Sequence, residues 1–266
     1  MSCCRPSRWI RNTCSSSSAS SRPVRGMDTF SFITSALGVY IGIAVFTLGM
    51  AWRIWQWSRA PKSTVRLGMF PKPATRGGRF GKLLSDTFVA PQSFAMAPGV
   101  MIAAMAFHLA ALAAFVGHLR LVHEFTPLVN AFGMEWMNTF AGLAGGFAGI
   151  VMLITVLYWI ARRTFGPYRM LSTPEDYFLL FLLLGIIVMG DHLRFVGDIH
   201  APAYIEWFQS LLRFRPDWPA EIAGSGEMWA LNWHMLFVDV FLIYFPFSKL
   251  THAIGAFSTN LVRSSD

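Results

Sequence analysis

Charged residues and cysteines are scarce in this chain, and both shortages limit what it can be. Only 14% of its 266 residues are charged, whereas 54% are hydrophobic. A soluble domain carries roughly 25% charged residues, and several apolar runs here reach the roughly twenty residues that cross a bilayer as a helix. The sequence therefore predicts an all-α integral membrane protein. The net charge of +8 does not indicate nucleic-acid binding, because the basic residues cluster in loops between the apolar runs.

The three cysteines, Cys3, Cys4 and Cys14, all lie within the first fourteen residues. The motif C-x-x-C-H is absent, which excludes covalently attached c-type haem, and no cysteine set resembles the ligands of an iron–sulfur cluster. A cofactor held in the apolar part of the chain must therefore be bound by histidine.

Residues 1–26 differ from the rest of the chain, since they contain five arginines and eight serines but no acidic residue. The segment lacks the sustained apolar core of a secretory signal. Two interpretations remain: a disordered basic tail, or translated upstream sequence before a natural start at Met27. The membrane domain is predicted to cover residues 27–266.

Five apolar runs are interpreted as transmembrane spans, numbered first to fifth: about 30–52, 97–122, 136–160, 177–196 and 228–250. Eight basic residues and one acid, Asp86, follow the first span, so the positive-inside rule predicts that this loop is cytoplasmic. The N-terminus is then outside and the C-terminus cytoplasmic. An outside tail with five arginines would violate the rule, which favours a start at Met27. Tyr204–Phe214 is interpreted as an amphipathic helix in the membrane interface.

The second span contains His108 and His118, and the fifth span contains His234 and ends near His252. Ionisable residues within a membrane are costly and indicate a functional site, although a single histidine is often only an interhelical hydrogen-bond donor. Because the two spans run in opposite directions, His118 pairs with His234 near the outer face and His108 with His252 near the inner face. Each pair can supply two axial nitrogens to one haem b iron. The spacings of ten and eighteen residues correspond to about 15 and 27 Å, so the histidines of the two spans do not match in depth on unbroken helices. Pro246, which precedes His252, is expected to break the fifth helix and reduce this difference.

Two motifs resemble the gamma subunit of respiratory nitrate reductase: F-H-L-A-A-L-A-A-F-V-G-H in the second span and W-H-M-L-F-V-D-V-F-L-I-Y-F-P-F-S-K-L-T-H in the fifth. A-G-G-F-A-G-I and A-R-R-T-F of the third span extend the resemblance over spans two to five. It implies a five-helix bundle with two b haems, the outer (distal) one on His118 and His234 and the inner (proximal) one on His108 and His252.

The chain departs from that family at two places. G-D-H-L-R-F ends the fourth span, and the lysine that the family uses near its quinol site has no counterpart beside Glu135, Trp136 and Met137. The same cytochrome module occurs in membrane complexes of sulfur and sulfate respiration, paired with a heterodisulfide-reductase-like iron–sulfur protein. The expected cytoplasmic partner is therefore an iron–sulfur subunit of that type or one like the nitrate reductase beta subunit, docked on the loop of residues 53–82 and the C-terminus.

A quinol oxidised beside the outer haem must release two protons to titratable groups near the outer surface. Asp191, His192 and Arg194 are the candidate quinone-site residues, since they follow the apolar run of the fourth span. Ordinary interfacial polar groups are the alternative, above all for the other candidates: His123, Asp198 and His200. Asp239, inside the fifth span, could hydrogen-bond a haem propionate or Arg194.

The sequence thus predicts a dihaem cytochrome b subunit of a respiratory complex in the cytoplasmic membrane of a prokaryote. It would exchange electrons between menaquinol or ubiquinol and the cytoplasmic partner, with the direction left open. The main alternative is a proton-coupled transporter that uses the histidines as a proton relay, which predicts a haem-free protein. A haem-less membrane anchor would leave the four histidines unexplained.

Overall fold

The computed structural model describes residues 28–59, 71–197 and 199–265, so the predictions for residues 1–26 and for Asp198 lie outside the described residues. All regular elements within these ranges are helical. Five helices are long and apolar enough to cross a membrane: Thr29–Ser58, Pro98–Leu121, Met134–Phe165, Pro174–Phe195 and Met228–Phe247. They confirm the five predicted spans.

The observed bounds differ from the predicted ones where polar and aromatic residues extend a helix beyond the apolar run. The first span continues to Ser58 and the third to Phe165. Arginine side chains near such ends can place their charge in the membrane interface while the stem stays in apolar surroundings. The fifth span stops at Phe247, before the predicted Leu250, because its helix is interrupted at Pro246.

The five spans pack in a row that differs from their order in the chain. The third span packs against the second and the fourth, and the fifth packs against the fourth and the first. Within the described residues, the second and fifth spans do not pack against each other along their length. The two helices that carry the histidines are therefore held in place by the third and fourth spans between them.

The glycines of the third span allow close contact with the fourth. A Cβ atom on Gly149 would overlap the carboxylate of Asp191, and one on Gly145 would lie 3.2 Å from Nη2 of Arg194. Glycine permits this approach because it has no side chain. These positions of the small-residue stripe thus serve helix packing.

The interfacial helix runs from Ala201 to Leu212, close to its predicted range. Trp207 of this helix belongs to a buried cluster with Ala36 and Val39 of the first span. The hydroxyl of Tyr40 donates a hydrogen bond to the carbonyl oxygen of Leu211 at 2.7 Å. The helix therefore covers the N-terminal end of the first span. This end lies at the same level as His118, and we call it the His118 end of the bundle.

The opposite end, which we call the His252 end, contains the predicted break of the fifth helix. A short 3₁₀ turn, Phe245–Phe247, follows the α-helix, and Ser248 is extended with φ −105° and ψ 176°. A second 3₁₀ turn, Lys249–Thr251, leads into the C-terminal helix, His252–Ser265. Proline causes the break because it has no N–H to continue the helix. We call Phe245–Thr251 the His252 turn.

Candidate functional site

The four histidines share one local hydrogen-bonding arrangement. In each, Nδ1 lies within hydrogen-bond distance of a backbone carbonyl oxygen: Ala104 for His108 and Ala114 for His118, both 2.7 Å, Ile186 for His234, 3.0 Å, and Lys249 for His252, 2.8 Å. A carbonyl oxygen only accepts, so Nδ1 carries the proton and the neutral ring keeps its free lone pair on Nε2. Metal-ligating histidines use their second nitrogen in this way.

His108 and His252 face each other across the gap between the second span and the His252 turn. Their ring centres are 6.1 Å apart and their planes are at 83°. Two imidazoles that bind one ion from opposite sides, with metal–nitrogen bonds of about 2 Å, have centres about 6 Å apart. The relative angle does not affect this match, because each ring is free to rotate about the nitrogen–metal axis. The pair fits the axial ligands of one haem iron.

His118 and His234 are the second predicted pair. His118 ends the α-helix of the second span, and His234 lies in the first half of the fifth. The ring of His234 lies against Gly190, where a Cβ would be 3.1 Å from Cε1, so the fourth helix fixes its position. In the part of the chain that the structure describes, no group of three or more His, Cys, Asp or Glu could hold a metal ion. Two neutral imidazoles with free Nε2 atoms can supply the two axial ligands of a haem iron.

The structure separates the three candidate quinone-site residues at the end of the fourth span. Asp191 lies against Gly149 and Arg194 against Gly145, so both face the third span. His192 faces the start of the fifth span instead. The three side chains therefore belong to one end of the bundle but do not form one cluster.

His192 has a carboxylate partner that sequence reasoning missed. Its Nε2 lies 2.5 Å from Oε2 of Glu227, and its ring contacts Trp229 with centres 5.0 Å apart. The acid beside His192 is thus Glu227, not its chain neighbour Asp191. The sequence contained a signal for this residue. Glu227 precedes His234 by seven residues, about two helical turns, so the two residues lie on the same side of the fifth helix.

The remaining candidates occupy different surroundings. His123 is exposed beside Glu124. His200 has 83% of its side chain exposed and contacts Glu221 at 2.9 Å. Asp239 is buried against Gly38 of the first span, so the predicted contact with Arg194 is not formed.

Comparisons with known proteins identify the family of this chain. Residues 92–265 match the family described as nitrate reductase gamma subunit. The Hdr-like menaquinol oxidoreductase cytochrome b-like subunit of Archaeoglobus fulgidus is 26% identical over 254 residues, covering 82% of this chain and 75% of the relative. The corresponding subunit of Archaeoglobus profundus is 25% identical, covering 81% and 74%. The respiratory nitrate reductase 1 gamma chain of Escherichia coli is 28% identical over 163 residues, covering 58% and 71%. Because the match to the family covers well over half of the residues of this chain, the chain belongs to the nitrate reductase gamma subunit family.

Proposed function

We propose that this protein is a dihaem cytochrome b subunit of a respiratory complex that exchanges electrons between quinol and a cytoplasmic iron–sulfur partner. The observation that carries the proposal is the arrangement of the four histidines. All four turn Nε2 away from their backbone hydrogen bonds, and the rings of His108 and His252 lie 6.1 Å apart although, among the described residues, their spans do not pack along their length. A proton relay would not require this shared orientation.

His118 and His234 would hold one haem b, and His108 with His252 the other. Haem b with two axial imidazoles supplies reversible one-electron transfer and leaves no open position for other chemistry. The backbone hydrogen bonds of the histidines fix the tautomer and the direction of each ring before the cofactor binds.

The quinone would bind at the His118 end. His192 and Glu227 form a pair that can accept protons from a quinol. Asp191 and Arg194 lie at the same end, packed against Gly149 and Gly145 of the third span. Menaquinol is the favoured substrate over ubiquinol, since the Archaeoglobus relatives are named as subunits of menaquinol oxidoreductases.

The His252 end would face the cytoplasm, with the N-terminus of the first span outside and the C-terminus inside. The basic residues concentrate there, in the loop after the first span and at Arg162, Arg163 and Arg169, as the positive-inside rule requires. The partner would dock on this end and receive electrons that move inward. The names of the relatives favour a heterodisulfide-reductase-like or nitrate-reductase-type partner.

A pyridine haemochrome assay with dithionite-reduced spectra tests the proposal. Purified protein should contain about two b haems per chain, and His118→Ala and His252→Ala should each contain about one. His200→Ala is the control, because His200 is exposed and bonded to Glu221, and it should keep both haems. A wild-type protein without haem would contradict the proposal and return the histidines to the proton-relay interpretation.

A further inference from the structure

Asp239 is a buried carboxyl group in the fifth span that the proposed electron path does not use. Asp239 is 4% exposed, and its Oδ1 has no hydrogen-bond partner among the described residues. It lies five residues after His234 but faces the first span, where Oδ2 occupies the space that a Cβ of Gly38 would need. An ionised carboxylate in apolar surroundings is costly unless it is paired.

The first span is irregular next to Asp239. Ile33–Leu37 form a π-helical turn, and the N–H of Gly38 donates to the carbonyl oxygen of Ile33. Such turns are rare and occur frequently at functional sites. Here the turn brings Gly38 against the carboxyl group and directs hydroxyl side chains toward the fifth span.

A hydrogen-bonded chain connects this turn with the His118 end. The amide of Asn232 donates to Oγ of Ser31 at 2.8 Å and accepts from Oγ of Ser35 at 3.0 Å. The N–H of Ser31 donates to the carboxylate of Asp28 at 2.7 Å. Ser31 and Ser35 are fully buried, whereas Asp28 is exposed at the start of the helix. Ser35 lies in the π-helical turn itself, three residues before Gly38, and is the end of the chain nearest to the carboxyl group along the first span.

No charged group among the described residues of the packed helices interacts with Asp239. The nearest titratable side chains have other partners: Tyr40 bonds to Leu211, Arg53 to Pro246 and His234 to Ile186. On the fourth span, Asp191 faces Gly149 and His192 faces Glu227. Glu175 and Asp176 lie near Lys249, at the His252 end. Tyr244, on the helix of Asp239 itself, contacts Phe178.

We propose that Asp239 is a proton-binding site that exchanges its proton with the His118 end through the chain of Ser35, Asn232 and Ser31. The ligand is a proton because a single carboxyl group without further oxygen ligands gives no coordination shell for a metal cation. The hydroxyl and amide groups can both donate and accept, which a path for protons requires.

The role of this site rests on the proposed function. Asp239 lies along the fifth span between the levels of His234 and His252. One electron that enters the bundle from a quinol adds one negative charge, and one proton bound to the Asp239 carboxylate balances it. The carboxyl group is therefore the neutral acid in reduced protein and in protein without haem. When the electron moves on and leaves a positively charged ferric haem, the proton leaves by the same route.

Infrared spectroscopy of the reconstituted full-length protein tests the site without reference to haem. Wild-type protein reduced with dithionite, or purified without haem, should show the carbonyl stretch of a protonated, buried carboxyl group, which shifts when water is replaced by D₂O. The band should be missing in Asp239→Asn and unchanged in Asp217→Asn, a control that makes the same change at an exposed residue. A spectrum in which Asp239→Asn removes no such band would overturn the proposal.

Two further variants test the route. Ser35→Ala and Asn232→Leu should keep the band but slow its shift in D₂O by tenfold or more, with circular dichroism confirming the fold. An unchanged exchange rate in a folded variant would refute the route.

In protein that contains haem, a redox titration at several pH values should show a pH-dependent potential, and this dependence should weaken in Asp239→Asn. Absence of haem would refute the proposed function, whereas the infrared result would still decide the proton site.

Discussion

The two proposed histidine pairs are positioned by different structural means. His118 and His234 lie on two continuous helices, and the fourth helix fixes His234 through Ile186 and Gly190. His252 is brought to His108 only because the fifth helix is interrupted at Pro246. The His118 end is therefore set by the packing of whole helices, and the His252 end by the contacts of a short turn.

The His252 turn is held by both polar and apolar contacts. Nε of Arg53 donates to the carbonyl oxygen of Pro246 at 2.8 Å, and Nζ of Lys249 lies 3.0 Å from Asp176. The ring of Pro246 packs against Gly49, where a Cβ would approach it to 2.7 Å. We expect changes at this end to affect one pair selectively, whereas changes at the other end should affect quinol chemistry.

The largest expected effect comes from Pro246→Ala. Alanine restores the backbone N–H and favours continuation of the helix, which would move His252 away from His108. Haem content should fall from about two to about one per chain, measured as the pyridine haemochrome. The remaining spectrum should match that of His252→Ala.

Pro202→Ala is the matched control, because this proline begins the interfacial helix at the His118 end. It should keep both haems. Equal loss of haem in the two proline variants would mean that the His252 turn is not specifically required.

The next effect concerns the His118 end. Glu227→Gln removes the acid that contacts His192 at 2.5 Å, so the rate of quinol oxidation should fall by about a hundredfold, the lower end of the usual range of general acid–base effects. Haem content should not change. The measurement is the initial rate of haem reduction by a quinol analogue, with Glu221→Gln, which alters the exposed His200 pair, as the control. Normal kinetics in Glu227→Gln would place proton release elsewhere.

The fold and the histidine pairing were largely predictable from sequence, since both follow from regular periodicity. Apolar length predicted the five spans, opposite helix directions predicted that His108 lies near His252, and the missing N–H of Pro246 predicted the break. The unequal spacings of ten and eighteen residues were themselves the signal that one helix must be interrupted.

The local partners of polar side chains were not predictable in the same way. Whether Asp191 turns to Gly149 or to His192 depends on how far the fourth helix is rotated about its axis, which the apolar pattern defines poorly. Glu227 lies outside the apolar run and became relevant only once the loop before the fifth span was positioned. The π-helical turn opposite Asp239 has no known sequence signature, because the same residues are compatible with a regular α-helix.

A smaller effect is expected from Asp176→Asn at the His252 end. This carboxylate accepts from the N–H of Thr173 at 2.9 Å and pairs with Lys249 at 3.0 Å and Arg163 at 3.2 Å. Loss of its charge should cost about 1–2 kcal/mol, as for hydrogen bonds to charged groups. Thermal denaturation followed by haem absorbance should show the haem of the His108 pair released first. Simultaneous release of both haems would show that the two ends do not unfold independently.

The smallest expected effect lies in the connection after the second span, at the His118 end. The side chain of Arg120 donates two hydrogen bonds to Glu124, at 2.8 and 2.7 Å, and this contact is the main cause that lowers the pKa of Glu124 below its usual 4.5. A carboxyl group whose pKa is lower in the folded state stabilises the protein above its unfolded pKa. That contribution, about 1 kcal/mol for a partly exposed pair, is lost as the pH falls through the lowered pKa.

Glu124→Gln should therefore reduce the denaturation temperature at neutral pH and have a diminishing effect below a pH of about 4. Glu135→Gln, an exposed acid at the start of the third span, should have little effect at either pH. A difference between wild type and Glu124→Gln that stays constant down to acidic pH would show that packing, and not the charge, stabilises this connection.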